Sequence, residues 1–222
     1  MKILGIESSC DDTSISIIDN NKNIITNETI SQNQIHKDYN GVVPELAARN
    51  HVLYIDKILK RILKKQQLKI TDIGLIAATV GPGLVGGLLV GLTFAKTLSQ
   101  VNRIPFIGVN HLERHALTAR LTNKVEYPFL LLLVSGGHSN FYFISDVNDY
   151  KFLGGTLDDA IGEAFDKVAN ILGLDFPGGP QLELLAVKGD YKKTRLPKPL
   201  INSKNLDMSF SGLKTAAFNC KN

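Results

Sequence analysis

The chain has 222 residues, 44% hydrophobic and 21% charged, with two cysteines and no tryptophan. That is globular composition with ample material for a core, in one large or two smaller domains. Cys10 and Cys220 stand far apart and imply no disulfide framework, so a reducing, cytoplasmic setting is expected. A net charge of +4 and a pI of about 9.0 favour an anionic partner such as a nucleotide or RNA. The opening MKILGIESSC has neither the apolar core of a signal peptide nor the look of a transit peptide.

Residues 2–7 read as an apolar strand, SSCDDT as a polar turn and SISIID as a second strand. QNQIHKDYNGVVPELAARNH is a polar loop whose Gly-Val-Val-Pro turn enters a helix with Pro44 and Glu45 in its first turn. Val52, Ile55, Leu59 and Ile62 step by threes and fours, which predicts a core-facing stripe with His51 on the helix face. Residues 73–95 carry no charge and imitate a membrane span. Gly81, Pro82 and Gly83 break that run into a buried strand, LIAATV, and a buried helix. Gly83, Gly87 and Gly91 recur every fourth residue as a small-residue face for close packing. No membrane association is expected.

PFIGVN is a short strand leading into the helix HLERHALTARL, which holds His111 and His115. Residues four apart share a helix face, so both imidazoles could reach one ion. Imidazole suits iron and zinc. Exposed or capping histidines are the alternative at this spacing, and a third ligand must come from elsewhere. The zinc-protease pattern H-E-x-x-H does not fit. Glu113 lies two residues after the first histidine instead of one, which turns its carboxylate about 100° further round the helix.

The second half restarts. YPFLLLLVSGGHSNFYFIS reads as strand, turn, strand, and so echoes the opening as an internal repeat of hairpins. GGTLDDAIGEAFDKVANILGL reads as a helix stopped by DFPGGP. Residues 189–207 read as loop, and MSFSGLKTAAF begins another ordered segment. Both hairpin turns are rich in small or hydroxyl residues that present backbone N–H groups, as phosphate cradles do. Two such turns across a cleft would grip a nucleotide, whereas plain hairpins are the bland reading of each alone.

Seven stretches together, GIESSCDDT, HKDYNGVVPELAARNH, GPGLVGGLLVG, NHLERH, LLLVSGGHS, LDDAIGEAFDKVANILGLDFPGGP and SFSGLKTA, give a close resemblance to one family. The chain resembles the TsaD-type tRNA N(6)-adenosine threonylcarbamoyltransferases, also known as the Kae-one type. The resemblance spans essentially the whole chain. It implies an α/β, two-lobed, actin-like ATPase fold of ribonuclease H-like lobes, expected here at residues 1–115 and 116–222 with the second lobe incomplete. It implies transfer of threonylcarbamoyl from its adenylate to the adenosine next to the anticodon in tRNAs that read codons starting with A. By resemblance, His111 and His115 bind one Fe(2+) per subunit, with Zn(2+) as the alternative metal. By the same resemblance, Leu133, Val134, Ser135, Gly136, Gly137, Asp166, Gly179 and Glu183 are expected to contact the threonylcarbamoyl-adenylate. At Glu183 the family more often has aspartate.

The implied partners are tRNA, a paralogue lacking the metal histidines, and a small P-loop ATPase. No side-chain nucleophile is required, and Cys10 is expected to be buried and structural. Asp11 and Asp12 read as a turn or a divalent-ion contact. His36 and His138 read as structural, with contact to substrate or tRNA as the alternative. Family members usually continue past this point with an adenosine-binding Asn and the metal's third ligand, an aspartate. A truncated chain is therefore expected, with bare apolar faces on its second lobe. A catalytically incomplete remnant that binds partners is the competing reading. A metalloprotease is a third, weakened by the misplaced Glu113.

Overall fold

The computed structural model describes residues 1–39, 41–190 and 192–221. Asn40, Tyr191 and Asn222, which fall in the 36–51 motif, the 189–207 loop and the expected second lobe, lie outside the described residues. The chain divides into two units. One is Met1–His36 with Val42–Leu121, the other Lys37–Gly41 with Thr122–Asn222.

The first unit runs β1 (Lys2–Glu7), β2 (Thr13–Asp19), β3 (Ile24–Ile30), α1 (Asn33–His36), α2 (Pro44–Lys65), β4 (Ile73–Gly81), α3 (Val85–Asn102), β5 (Phe106–Asn110) and α4 (His111–Thr122). Its sheet has the order β3-β2-β1-β4-β5. β1, β2 and β3 form an antiparallel meander, whereas β4 pairs parallel with both β1 and β5. α3 is the crossover that two parallel neighbours require. Leu4, Ile15, Ile17 and Ile76 of the sheet pack with Ile58 and Ile62 of α2, all six fully buried. Each such side chain contributes roughly 1.5–3 kcal/mol of burial.

The buried row of α2 differs from the predicted stripe. Ile55, Ile58, Leu59 and Ile62 are buried, but Val52 is 60% exposed. The row begins at Ala47 and passes through His51, stepping 47, 51, 55, 58, 62, which holds the 3.6-residue period. His51 can occupy a core position because both ring nitrogens have partners. Thr13 Oγ1 lies 2.7 Å from Nδ1 and the Cys10 carbonyl 3.0 Å from Nε2. Burial pushes the His51 pKa down, so the ring is neutral there. The structure also places His36 in full burial, where its Nδ1 accepts the Val43 N–H at 3.3 Å.

The uncharged run at 73–95 divides into β4 and α3, and among the described residues no helix is long and apolar enough to cross a membrane. The glycines do pack closely. A Cβ on Gly83 would lie 2.6 Å from the Ser9 carbonyl oxygen, and one on Gly87 would strike the Ser8 carbonyl oxygen. Their absence lets α3 sit against the end of β1, where Leu84 N–H donates to the Ser9 carbonyl at 2.7 Å and Ser8 Oγ to the Gly87 carbonyl at 2.8 Å.

The second unit contains β6 (Phe129–Val134), β7 (Ser139–Asp146), β8 (Asp149–Gly155), α5 (Ile161–Ile171), α6 (Gly178–Ala186) and α7 (Ser211–Lys221). β6, β7 and β8 form a second antiparallel meander. The repeat foreseen as two hairpins is thus one of three-stranded meanders, since β3 and β8 continue them. Gly154 and Gly155, read from sequence as the start of a helix, end β8 instead. A Cβ on Gly154 would meet the Leu206 backbone at 2.6 Å, so the glycine serves a close approach rather than a helix. Leu133 and Ile144 are buried, while Leu130, Leu132 and Val134 share the opposite face of β6 and are exposed.

Candidate metal centre

β1, β4 and β5 run parallel, and their carboxyl ends lie side by side. Ile6 pairs with Ala78, and Gly81 with Asn110. The space outside such strand ends is where open α/β sheets bind ligands. Asn110 ends β5 and caps α4: its Oδ1 accepts the N–H of Leu112 at 2.8 Å and of Glu113 at 3.3 Å. The cap fixes His111 in the first turn and His115 one turn later on the same face. Their Nε2 atoms stand 3.2 Å apart, with the rings edge-on at 86°.

Glu7, the last residue of β1, anchors the surroundings of this pair. Its Oε1 accepts the Ser9 N–H at 2.7 Å and the Ser9 hydroxyl, and its Oε2 accepts the Thr79 hydroxyl. Arg114 Nη1 pairs with Oε2 at 3.0 Å. Burial pushes the Glu7 carboxyl up, but the Arg114 guanidinium and the donors from Ser9 and Thr79 outweigh it and hold Glu7 below its usual range. Ser9 Oγ lies 3.0 Å from His111 Nδ1. Arg114 Nη2 lies 3.2 Å from that same Nδ1 and 3.4 Å from His115 Nε2. Sequence reasoning missed Glu7, Ser9, Thr79 and Arg114 as parts of this cluster. The signal was the acidic residue that closes the apolar strand ILGIE.

The histidine pair fits a transition metal at two adjacent positions. With metal–nitrogen bonds of ~2.1 Å, nitrogens 3.2 Å apart subtend an angle of about 100° at the ion. Imidazole nitrogens are the donor type that iron and zinc accept. Among the described residues no group of three or more His, Cys, Asp or Glu that could hold a metal ion is present. A third donor must therefore come from outside this set.

In the β1–β2 turn Cys10 is exposed rather than buried, which corrects the expectation from sequence. Its backbone carbonyl, not its sulfur, is the inward-facing group, because it meets buried His51. Desolvation of the sulfur and the neighbouring Asp11 carboxylate push the thiol up to about 12. The raised pKa disfavours the thiolate, the nucleophilic form of the side chain.

The candidate substrate residues fall in the second unit. Ser135 Oγ accepts the N–H of Gly137 at 3.3 Å and of His138 at 3.0 Å, and Ser135 N–H donates to the His138 carbonyl at 2.8 Å. Two N–H groups of the turn are thus turned toward the hydroxyl. Cβ atoms on Gly136 or Gly137 would meet nothing within 4 Å, so the tip of the turn is open. The N-terminus of α5 packs beneath it, since a Cβ on Gly162 would lie 2.6 Å from the Ser135 carbonyl oxygen. Val134 is exposed beside the turn, whereas the Leu133 side chain is buried. Asp166 Oδ1 accepts the Gly178 N–H at 2.8 Å at the start of α6, which brings Asp166 close to Gly179. Glu183 lies one turn further along α6 and is exposed.

Residues 23–221 match the family described as TsaD: tRNA N6-adenosine threonylcarbamoyltransferase. The chain belongs to this family. It is 59% identical over 216 residues to the tRNA N6-adenosine threonylcarbamoyltransferase of Rickettsia rickettsii (strain Sheila Smith). It is also 59% identical over 215 residues to that of Rickettsia bellii (strain OSU 85-389). Each match covers 97% of this chain and 63% of the relative, so the chain spans about 63% of the length of these curated relatives.

Among solved structures, component A of (R)-2-hydroxyglutaryl-CoA dehydratase from Acidaminococcus fermentans matches with a TM-score of 0.55 at 16% identity, covering 99% of this chain and 67% of that one. The ethanolamine utilization protein EutJ from Carboxydothermus hydrogenoformans matches with a TM-score of 0.50 at 12% identity, covering 87% and 63%. At these identities the likeness shows the fold alone. That fold is the mixed α/β, actin-like one expected from the sequence.

Proposed function

We propose that this chain carries the chemistry of tRNA threonylcarbamoylation. The N6 amine of the adenosine next to the anticodon attacks the carbamoyl carbon of threonylcarbamoyl-adenylate. The bond to the phosphate oxygen breaks, AMP leaves with the electron pair, and the amine loses its proton to solvent. The observation that carries this reading is the pair of Nε2 atoms 3.2 Å apart at the carboxyl ends of parallel strands, inside the region that matches the family. His111 and His115 would hold an iron(II) or zinc ion, and such an ion supplies a Lewis acid for a carbonyl.

The two units are read as the two actin-like lobes, placed by sequence at 1–115 and 116–222. The turn from Val134 to Gly137 is read as the adenylate contact, with Ser135 holding the turn in shape. Leu133, its side chain buried, has only its backbone to offer. Asp166 sets the start of α6 and so the positions of Gly179 and Glu183. tRNA, the metal-free paralogue and the small P-loop ATPase are the proposed partners, and the cytoplasm the proposed location.

A second reading, a partner-binding module without catalysis, is favoured by one observation: among the described residues no group of three or more His, Cys, Asp or Glu that could hold a metal ion is present. One experiment separates the two. The chain is incubated with unmodified tRNA, threonylcarbamoyl-adenylate, ATP and the two partner proteins, and the tRNA nucleosides are quantified by mass spectrometry. The transferase reading predicts threonylcarbamoyladenosine, reduced at least about 100-fold by His111→Ala. Equal product from the His111→Ala, His115→Ala double variant would sink it. No product from the unsubstituted chain favours the binding module.

A further inference from the structure

The surroundings of His111 Nδ1 fix which of its ring nitrogens carries the proton. A carboxylate only accepts hydrogen bonds, so the hydroxyl proton of Ser9 goes to Glu7 Oε1. Ser9 Oγ then faces His111 Nδ1 at 3.0 Å with lone pairs alone. That contact is attractive only if Nδ1 bears the hydrogen and donates it to Ser9. The Nε2 atom of His111 is then the bare nitrogen, and it faces His115 Nε2. Arg114 Nη2, 3.2 Å from Nδ1, argues the other way, since a guanidinium only donates. If it prevailed, Ser9 Oγ and Nδ1 would confront each other as two acceptors at 3.0 Å in a half-buried site. The Arg114 guanidinium is already held by its Nη1 pair with Glu7 Oε2 at 3.0 Å and does not depend on a bond from Nη2, whereas the Ser9 oxygen faces Nδ1.

Ser9 is also held still. Its carbonyl accepts the Leu84 N–H, its own N–H donates to Glu7, and Gly83 packs on its backbone. The residue is 1% exposed.

We propose that Glu7 and Ser9 are positioning residues that lock His111 in the Nδ1–H form and so present its Nε2 lone pair toward His115 before any cation arrives. This rests on the reading of His111 as a metal ligand. Outer partners of this kind, which fix the tautomer of a ligating histidine, alter metal affinity by about 10–100-fold when removed.

The test is nitrogen-15 NMR of the imidazoles in the full, metal-free chain, at a pH above the histidine range, which reports the protonated ring nitrogen directly. The expected result is a single Nδ1–H form for His111 in the unsubstituted chain. In Ser9→Ala, which keeps the backbone bonds of residue 9, that preference is expected to be lost. The affinity for Co(2+), followed by its visible absorption, is expected to fall about 10–100-fold. An Nε2–H form of His111 in the unsubstituted chain overturns the proposal without any variant needing to fold. So does a tautomer unchanged by Ser9→Ala. If Co(2+) does not bind the unsubstituted chain but the tautomer behaves as stated, the metal reading fails and the positioning proposal stands.

Discussion

Gly87→Ala tests how the site is built from below. The added methyl would run into the Ser8 carbonyl oxygen, a backbone atom, and would lie 3.2 Å from Cδ2 and Nε2 of the buried His51 ring. Neither neighbour can give way cheaply. The Ser8 backbone is tied to β1, and His51 is bonded through both nitrogens. Alanine in a helix interior gains about 1 kcal/mol over glycine. Overpacking of a tight contact costs about 1–3 kcal/mol, and weakening a buried hydrogen bond about 1 kcal/mol more. The net expectation is a loss of about 1–3 kcal/mol. With a urea m-value of ~2–3 kcal/mol/M, the midpoint should fall by roughly 0.3–1.5 M. Gly212→Ala is the control. It sits in the first turn of α7 with nothing within 4 Å of its Cβ, and should change stability by less than about 0.5 kcal/mol. A Gly87→Ala protein as stable as the unsubstituted one would refute the argument that this glycine exists for close approach.

Two further predictions concern ionisable groups. Burial pushes the Asp158 carboxyl up, but bonds from Ser209 Oγ, Phe210 N–H, Ser211 Oγ and Ser211 N–H outweigh it and hold it well below the usual range. A depressed folded pKa means the stabilisation is present above the ordinary aspartate value of about 4 and is lost as pH falls below it. Hydrogen-exchange protection of α7 should therefore hold from neutrality down to about pH 4 and weaken beneath it, and Asp158→Ala should lose it at neutral pH. Protection indifferent to both changes would contradict this role. For Cys10, a thiol raised to about 12 should react with iodoacetamide at pH 8 at least about 100-fold more slowly than a free peptide thiol. Comparable rates would show that Asp11 and the local packing do not govern it.

Much of the first unit was legible in the sequence because its signals are local. The apolar run ILGIE, the Gly-Pro-Gly break and Pro44 before an amphipathic run each specify an element without reference to the rest of the chain. β3 was missed because IITNETI is half polar and sits on the edge of its sheet, where alternation is weak. β8 was missed because its two terminal glycines read as the start of the following helix until Leu206, some fifty residues on, is seen against them. The histidine pair was visible as a spacing. Its setting was not, because Glu7, Thr79 and Arg114 meet only through the parallel register of β1, β4 and β5. Cys10 was misjudged because composition predicts burial for a lone cysteine, whereas here the turn carries it outward.

The central claim is that the face of α4 bearing His111 and His115 is a metal centre. Titration of the metal-free chain with Co(2+), read by absorption and by equilibrium dialysis, tests it most directly. The account predicts one equivalent bound per chain by the unsubstituted protein and none by the His111→Ala, His115→Ala double variant. Binding that survives the double substitution, or no binding by the unsubstituted chain, would contradict it.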